Sequence, residues 1–216
     1  MNHIQAIVFD FDGTLIDASE AIIESFFAVL RAHGFAEPEQ PWIRSRIGKP
    51  LVGIFAEIDT AASPEQLQAY VEEYRTYFFP LSAAKTRPLP GVVDALRSLS
   101  ARCKFGIATS RKGDGALHIL KSLGLDNHFP VIVGIEDVAH PKPDAEPVLS
   151  VLRQLAVAPS RAMMVGDTAD DVAAGKNAGT VSVGVTTGAF GADELKRAGA
   201  DHVLSGLDQL VSLMSP

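Results

Sequence analysis

The chain has a single cysteine, Cys103, among its 216 residues. One cysteine excludes a disulfide framework within the chain, and a reducing compartment is the expectation. Cys103 itself reads as a small apolar side chain beside a strand rather than as a nucleophile. No apolar run approaches the roughly 20 residues that a membrane-spanning helix needs. The opening Met1-Asn2-His3 shows no basic region followed by an apolar stretch, so no secretory signal is expected and the expected location is the cytoplasm. Positive charge is scarce: 19 Lys and Arg stand against 26 Asp and Glu, a net charge of −7. That balance argues against a general nucleic-acid binder and against docking on an anionic membrane. Phosphate-binding loops are missing too. Gly175-Lys176 has Asp170 where a P-loop needs glycine and Asn177 where it needs Ser or Thr, and no G-x-G-x-x-G opens a helix.

Short apolar runs ending in Gly, Asp or Thr are what the chain does have. Ile4–Phe9, Lys104–Thr109, Val131–Gly134, Ala162–Val165 and Thr180–Val185 read as buried strands rich in Val and Ile. Helix-length segments lie between them: Gly91–Ser100, Gly113–Leu123, Asp144–Leu155 and Thr168–Ala178. The alternation predicts an α/β fold, a Rossmann-like, doubly wound parallel sheet covered on both faces. One stretch breaks it. From about Asp17 to Ala84 no strand pattern stands out, while Ile22, Phe26, Val29, Leu30 and His33, and later Tyr70, Tyr74, Tyr77 and Phe78, recur at helical spacing. This predicts a helical insert, residues 17–84, in a core made of 1–16 and 85–216. Thr86–Val93 reads as the returning linker, punctuated by its prolines.

In such sheets ligands bind beyond the carboxyl ends of the strands. The first strand ends in Asp10, Asp12, Gly13 and Thr14, and the second in Thr109 and Ser110. Lys142 follows the third, and the fourth ends in "VGDTADD", with Asp167 and Asp171. Each residue taken alone is explained as a turn former, a helix cap or a solvated lysine. Together they place oxygen ligands, hydroxyls and one cation on one edge of the sheet. Magnesium with a phosphoryl group fits that set, since magnesium takes carboxylate and phosphate oxygens and screens the repulsion around Asp10. Lys142 and donors at Thr109 and Ser110 suit the phosphoryl oxygens. Asp10-Phe11-Asp12-Gly13 is no calcium loop, because Thr14 and Leu15 break the ligand pattern.

Taken in order, these motifs resemble the haloacid dehalogenase superfamily in its phosphatase branch, and most of all its phosphoglycolate phosphatase-like members. Asp10-Phe11-Asp12-Gly13-Thr14 matches the D-x-D-G-T signature, and Thr109 the Ser/Thr ending the second core strand. Lys142 matches the branch's lysine, and Gly166-Asp167 with Asp171 its terminal G-D-x-x-x-D. The resemblance spans the whole chain and implies a magnesium-dependent phosphatase acting on a small phosphorylated metabolite. Asp10 would be the nucleophile that becomes an aspartyl phosphate, and Asp12 the acid and then the base. Magnesium would be held by the Asp10 side chain, the Asp12 carbonyl and Asp167, with Asp171 close by. Thr109, the Ser110 amide and Lys142 would bind the phosphoryl oxygens. The helical insert would be the cap that closes over the site. Two small departures from the pattern are Ala18 after Asp17 and Ser110 in place of the frequent Asn.

Two other functions share parts of this pattern. A phosphosugar mutase of the same family uses the same aspartyl-phosphate chemistry. A signalling receiver domain also gathers an acceptor Asp, a Thr and a Lys around magnesium, but it is shorter and has no place for the insert. Within the insert, Ile43–Gly53 is the expected specificity loop, with Gly48 for a turn and Arg44, Arg46 and Lys49 for charge. Of these, Arg46, Gly48 and Lys49 are expected at the substrate. The protein is expected to act as a monomer or homodimer.

Overall fold

The five apolar runs become neighbouring strands in a computed structural model of the chain, which describes residues 3–214. The first two and last two residues of the expected core lie outside the described residues. In chain order the strands are β1 (Ala6–Phe9), β2 (Ile16–Asp17), β3 (Arg87–Pro88), β4 (Lys104–Ala108), β5 (Val131–Val133), β6 (Ala162–Gly166), β7 (Val181–Val185) and β8 (His202–Leu204). Six of them form one sheet in the order β5-β4-β1-β6-β7-β8. Every pairing in that sheet is parallel. β2 and β3 pair separately as a short antiparallel ribbon, Ile16 opposite Pro88.

The helices are α1 (Ser19–Ala32), α2 (Gln40–Arg44), α3 (Leu51–Ile58), α4 (Pro64–Lys85), α5 (Val92–Leu99), α6 (Gly113–Leu123), α7 (Glu146–Leu155), α8 (Ala169–Ala178), α9 (Ala192–Arg197) and α10 (Asp208–Leu213). Side-chain alternation along β1 divides the core in two. Ala6 and Val8 join Val148 and Leu152 of α7 and Ala174 of α8 on one face. Ile7 and Phe9 join Leu96 of α5, Ile119 of α6 and Leu210 of α10 on the other. A strand covered on both faces must be apolar throughout, and all four residues of β1 are buried. Phe9 sits edge-on to Phe105 and Phe129, with ring centres 5.7 and 6.1 Å away. Truncating such a ring to Ala costs about 3–5 kcal/mol.

Helices α1 to α4 occupy the stretch that shows no strand pattern. On α1 the buried stripe runs through Ile22, Phe26, Val29 and Leu30 and stops there; His33 is exposed and pairs with Glu73 of α4. Ser63 starts α4 with a reciprocal cap: its hydroxyl accepts from the Gln66 N–H, and its own N–H donates to the Gln66 side chain. Tyr70, Tyr74 and Phe78 then bury one face of α4, while Tyr77 is left exposed. Phe26 stacks on Phe55 of α3 at 4.7 Å. These aromatics are continuous with the core beneath them, in one cluster. The linker through Thr86–Val93 holds β3, so the chain leaves and rejoins the sheet region through paired strands.

Candidate active site

β1 lies at the switch point of the sheet. The chain moves outward from it to β4 and β5, then crosses back to β6 on its other side. Adjacent crossovers diverge there and leave a crevice beyond the strand ends. Asp10 is the first residue past β1, and its N–H donates to the Val165 carbonyl at 2.8 Å, which fixes it beside β6. Gly13 turns the chain away at φ +85°, a conformation that disfavours side chains. A Cβ there would stand 2.6 Å from Asp167 Oδ2, so glycine also makes room for that carboxylate.

Asp10, Asp167 and Asp171 are buried, and their oxygens lie within 4.8 Å of one another. Lys142 Nζ donates to Asp10 Oδ1 and to Asp171 Oδ1, both at 2.6 Å. Thr14 Oγ1 donates to Asp167 Oδ1 at 3.0 Å, and the Ala189 N–H donates to Oδ2 at 2.8 Å. Asp171 Oδ2 accepts from the N–H and the hydroxyl of Thr168. Thr168, not Asp167, is therefore the N-cap of α8, which leaves Asp167 facing the crevice.

Three carboxylates and one ammonium leave two uncompensated negative charges in a buried place. Burial pushes the Asp10 carboxyl well above its ordinary range, against the pull of Lys142. Asp167 is pushed up to about 6, by burial first and then by Asp171. Burial alone would lower Lys142, but Asp10 and Asp171 outweigh it and hold the ammonium charged. An oxygen-only donor set short of two positive charges fits a hard divalent cation such as magnesium.

Thr109 is buried at the end of β4; its N–H donates to the Val133 carbonyl, and its Oγ accepts from the Arg111 N–H at 3.1 Å. Ser110, half-buried, lines a cavity of about 280 Å³ together with Asp10, Asp12 and Thr109. Ser110 does not cap α6; that position belongs to Lys112. The far wall of the cavity comes from the expected specificity loop, including Arg46, Gly48 and Lys49. Gly48 adopts φ +94°, the turn expected of it, and brings the loop near Thr168 of the core. The Arg46 guanidinium is engaged by Glu57 at 2.6 Å and lies over the Trp42 ring at 3.7 Å. Arg44 donates to Ser19 and lines a separate cavity. Beside the Lys142 loop, Glu136 accepts from the Gly113 N–H, and His140 pairs with Glu146.

Sequence reasoning missed Arg111. Its guanidinium makes a two-pronged pair with Asp12, Nε to Oδ2 at 2.9 Å and Nη2 to Oδ1 at 2.7 Å. The ring of Phe78 lies 4.5 Å below it. The available signal was a cation directly after Thr109-Ser110 in an acidic chain. Thr14 belongs to the D-x-D-G-T motif, and nothing local in the sequence signals its bond to Asp167.

A doubly wound sheet with a lysine-bridged acid cluster at its switch point defines a phosphoryl-transfer type of site. The pattern of the haloacid dehalogenase-like hydrolases matches residues 7–185. Pyrophosphatase PpaX of Bacillus velezensis is 34% identical, over 97% of this chain and 96% of its own. A haloacid dehalogenase-like hydrolase structure from Bacteroides fragilis superposes with a TM-score of 0.90 at 31% identity, covering 96% of this chain and 99% of that one. A predicted phosphoglycolate phosphatase from Haemophilus somnus has the same fold, with a TM-score of 0.90 at 19% identity over 100% of both chains. The chain belongs to the haloacid dehalogenase-like hydrolases and is an enzyme of their phosphatase branch. Among the described residues no helix is long and apolar enough to cross a membrane.

Proposed function

We propose that this enzyme is a magnesium-dependent phosphatase that cleaves a small phosphorylated metabolite through an aspartyl phosphate on Asp10. The observation that carries the reading is the buried cluster of Asp10, Asp167 and Asp171 bridged by Lys142 at the switch point. Asp10 Oδ1 is held by Lys142, while Oδ2 has no hydrogen bond among the described residues and is free to attack phosphorus. The bond from phosphorus to the leaving oxygen breaks, and Asp12 gives that oxygen its proton. Water then attacks the aspartyl phosphate, returning a proton to Asp12 and releasing phosphate from Asp10. Thr109, the Ser110 N–H and Lys142 hold the phosphoryl oxygens throughout. The Asp10 and Asp167 side chains and the Asp12 carbonyl would hold magnesium, with Asp171 close by. When bound it supplies the charge neutralisation that the two uncompensated negative charges call for.

Residues 17–84 act as a cap over a core of 1–16 and 85–216, and closure excludes water from the cavity beneath the Ile43–Gly53 loop. Lys49 lines the cavity with no ion pair within 4.0 Å among the described residues, only the more distant charge of Asp170 opposite it, and is the loop's cation for substrate; Gly48 supplies its turn. Arg46 braces the loop through Glu57 at the cavity wall. The name of the Bacillus velezensis relative puts inorganic pyrophosphate first on a substrate panel. Phosphate release should stop in exhaustive chelator and return with magnesium, and Asp167→Asn should bind magnesium more weakly. Full activity in chelator would refute the metal's part.

A further inference from the structure

We propose that Arg111 is an exchange residue: it grips Asp12, and on substrate binding it transfers its grip to an anionic group on the leaving portion of the substrate. The enzyme therefore prefers phosphate esters or anhydrides whose leaving portion carries a negatively charged oxygen within three bonds of the leaving oxygen. This rests on the phosphatase reading above. Apart from Lys49 on the cap loop, the other cations on the cavity wall have separate partners. Arg46 is held by Glu57 and Arg75 by Glu72, and Glu72 also comes within 4.0 Å of Lys112. Arg111 has a single ion-pair partner among the described residues, and that partner is the side chain the reaction needs.

Placement sets the chemistry. A phosphoryl group on Asp10 directs its leaving oxygen towards Asp12, two residues along the chain. Whatever is bonded to that oxygen meets the guanidinium paired with Asp12. Arg111 Nη1 makes no hydrogen bond among the described residues, so a planar donor edge remains for a carboxylate or phosphate. The Phe78 ring keeps the guanidinium in its plane while its partner changes. The pair is well shielded, with Arg111 14% and Asp12 10% exposed, so losing the grip without replacement is costly. An anionic leaving portion offers the replacement. A neutral alkyl leaving portion does not, and Asp12 stays held.

The test is a matched pair of substrates, 2-phosphoglycolate and ethyl phosphate, which differ by a carboxylate in place of a methyl group. kcat/KM for both is measured with magnesium on the full chain, on Arg111→Met and on Arg111→Lys. The wild type should favour phosphoglycolate by about tenfold or more, the scale of a charged hydrogen-bonded pair. Arg111→Met should cut that ratio by about tenfold. Arg111→Lys should fall between, because it keeps the charge and loses the fork. Both substrates are read on the same preparation, so loss of folded enzyme cancels in the ratio. A ratio unchanged within about twofold in Arg111→Met, or a wild type that prefers ethyl phosphate, overturns the exchange and leaves the phosphatase standing. No phosphate release by the wild type from any ester or anhydride would instead remove the phosphatase reading.

Discussion

Without metal, the protein should be more stable at about pH 5 than at about pH 7.5, the reverse of the usual acid response of a carboxylate-rich chain. Asp167 is pushed from an ordinary 3.8 up to about 6 in the folded state. Its raised value means that the folded chain holds a proton that the unfolded chain has given up between those two values. Stability therefore rises as pH falls through about 6, and the gain is complete below the unfolded value. From about pH 7.5 to about pH 5, Asp167 alone contributes about 1.4 kcal/mol. For a chain of this size that is roughly 3–6 °C in melting temperature. Asp10 is raised as well and acts in the same direction. Magnesium takes the place of the protons, so its stabilising effect should be larger at about pH 7.5 than at about pH 5. The assay is thermal unfolding at both pH values, in chelator and in saturating magnesium, with Asp167→Asn as a variant in which the pH effect shrinks. A melting temperature in chelator that is flat or rises with pH would refute the reasoning, as would equal stabilisation by magnesium at both values.

Asp12→Ala should slow single-turnover release of an alkyl alcohol by about 10²–10⁴-fold and release of nitrophenolate only mildly, since a good leaving group needs little protonation. Rapid quench with labelled phosphoenzyme reads both; Arg111 loses its partner in this variant, but the comparison between leaving groups is internal, and equal slowing would remove Asp12 as the acid. Lys142→Met leaves Asp10 and Asp171 uncompensated in a buried place and should lower stability in chelator by about 3–5 kcal/mol, measured by denaturant unfolding. The same variant should lose at least about a hundredfold in kcat, and activity within about tenfold of wild type would show that Lys142 does not serve the phosphoryl group.

The strands legible in the sequence were those covered on both faces. Burial made β1, β4, β5, β6 and β7 nearly continuous apolar runs, each visible by itself. β8 was not visible, because it is three half-buried residues at the sheet edge. β2 and β3 have two residues each, too few for any period, and they exist only through each other. The same distinction runs through the site. Asp10, Asp12, Thr109, Lys142, Asp167 and Asp171 are named by their positions at or after strand ends. The Arg111–Asp12 pair joins residues 99 apart in the chain and the Thr14–Asp167 bond residues 153 apart, and no local pattern announces either. Arg46 lines the cavity as expected, but its pairing is another long-range feature. Its charge is plain in the sequence, but the Glu57 that engages it lies 11 residues on, in α3.

The central place of β1 governs how the chain is made. β1 is synthesised first, yet Ala6 pairs with Lys104 on one side and Ala162 on the other. At about 5–20 residues per second, the second partner follows roughly 8–30 s later. Until β4 is made, Ile7 and Phe9 have no sheet to enter and the backbone of β1 has no neighbour to bond, and until β6 is made one edge of β1 stays open. Such late pairing slows folding and exposes strand edges to other chains. The acid cluster is later still: Asp10 waits until β6 and the first turn of α8 bring Asp167 and Asp171 beside it.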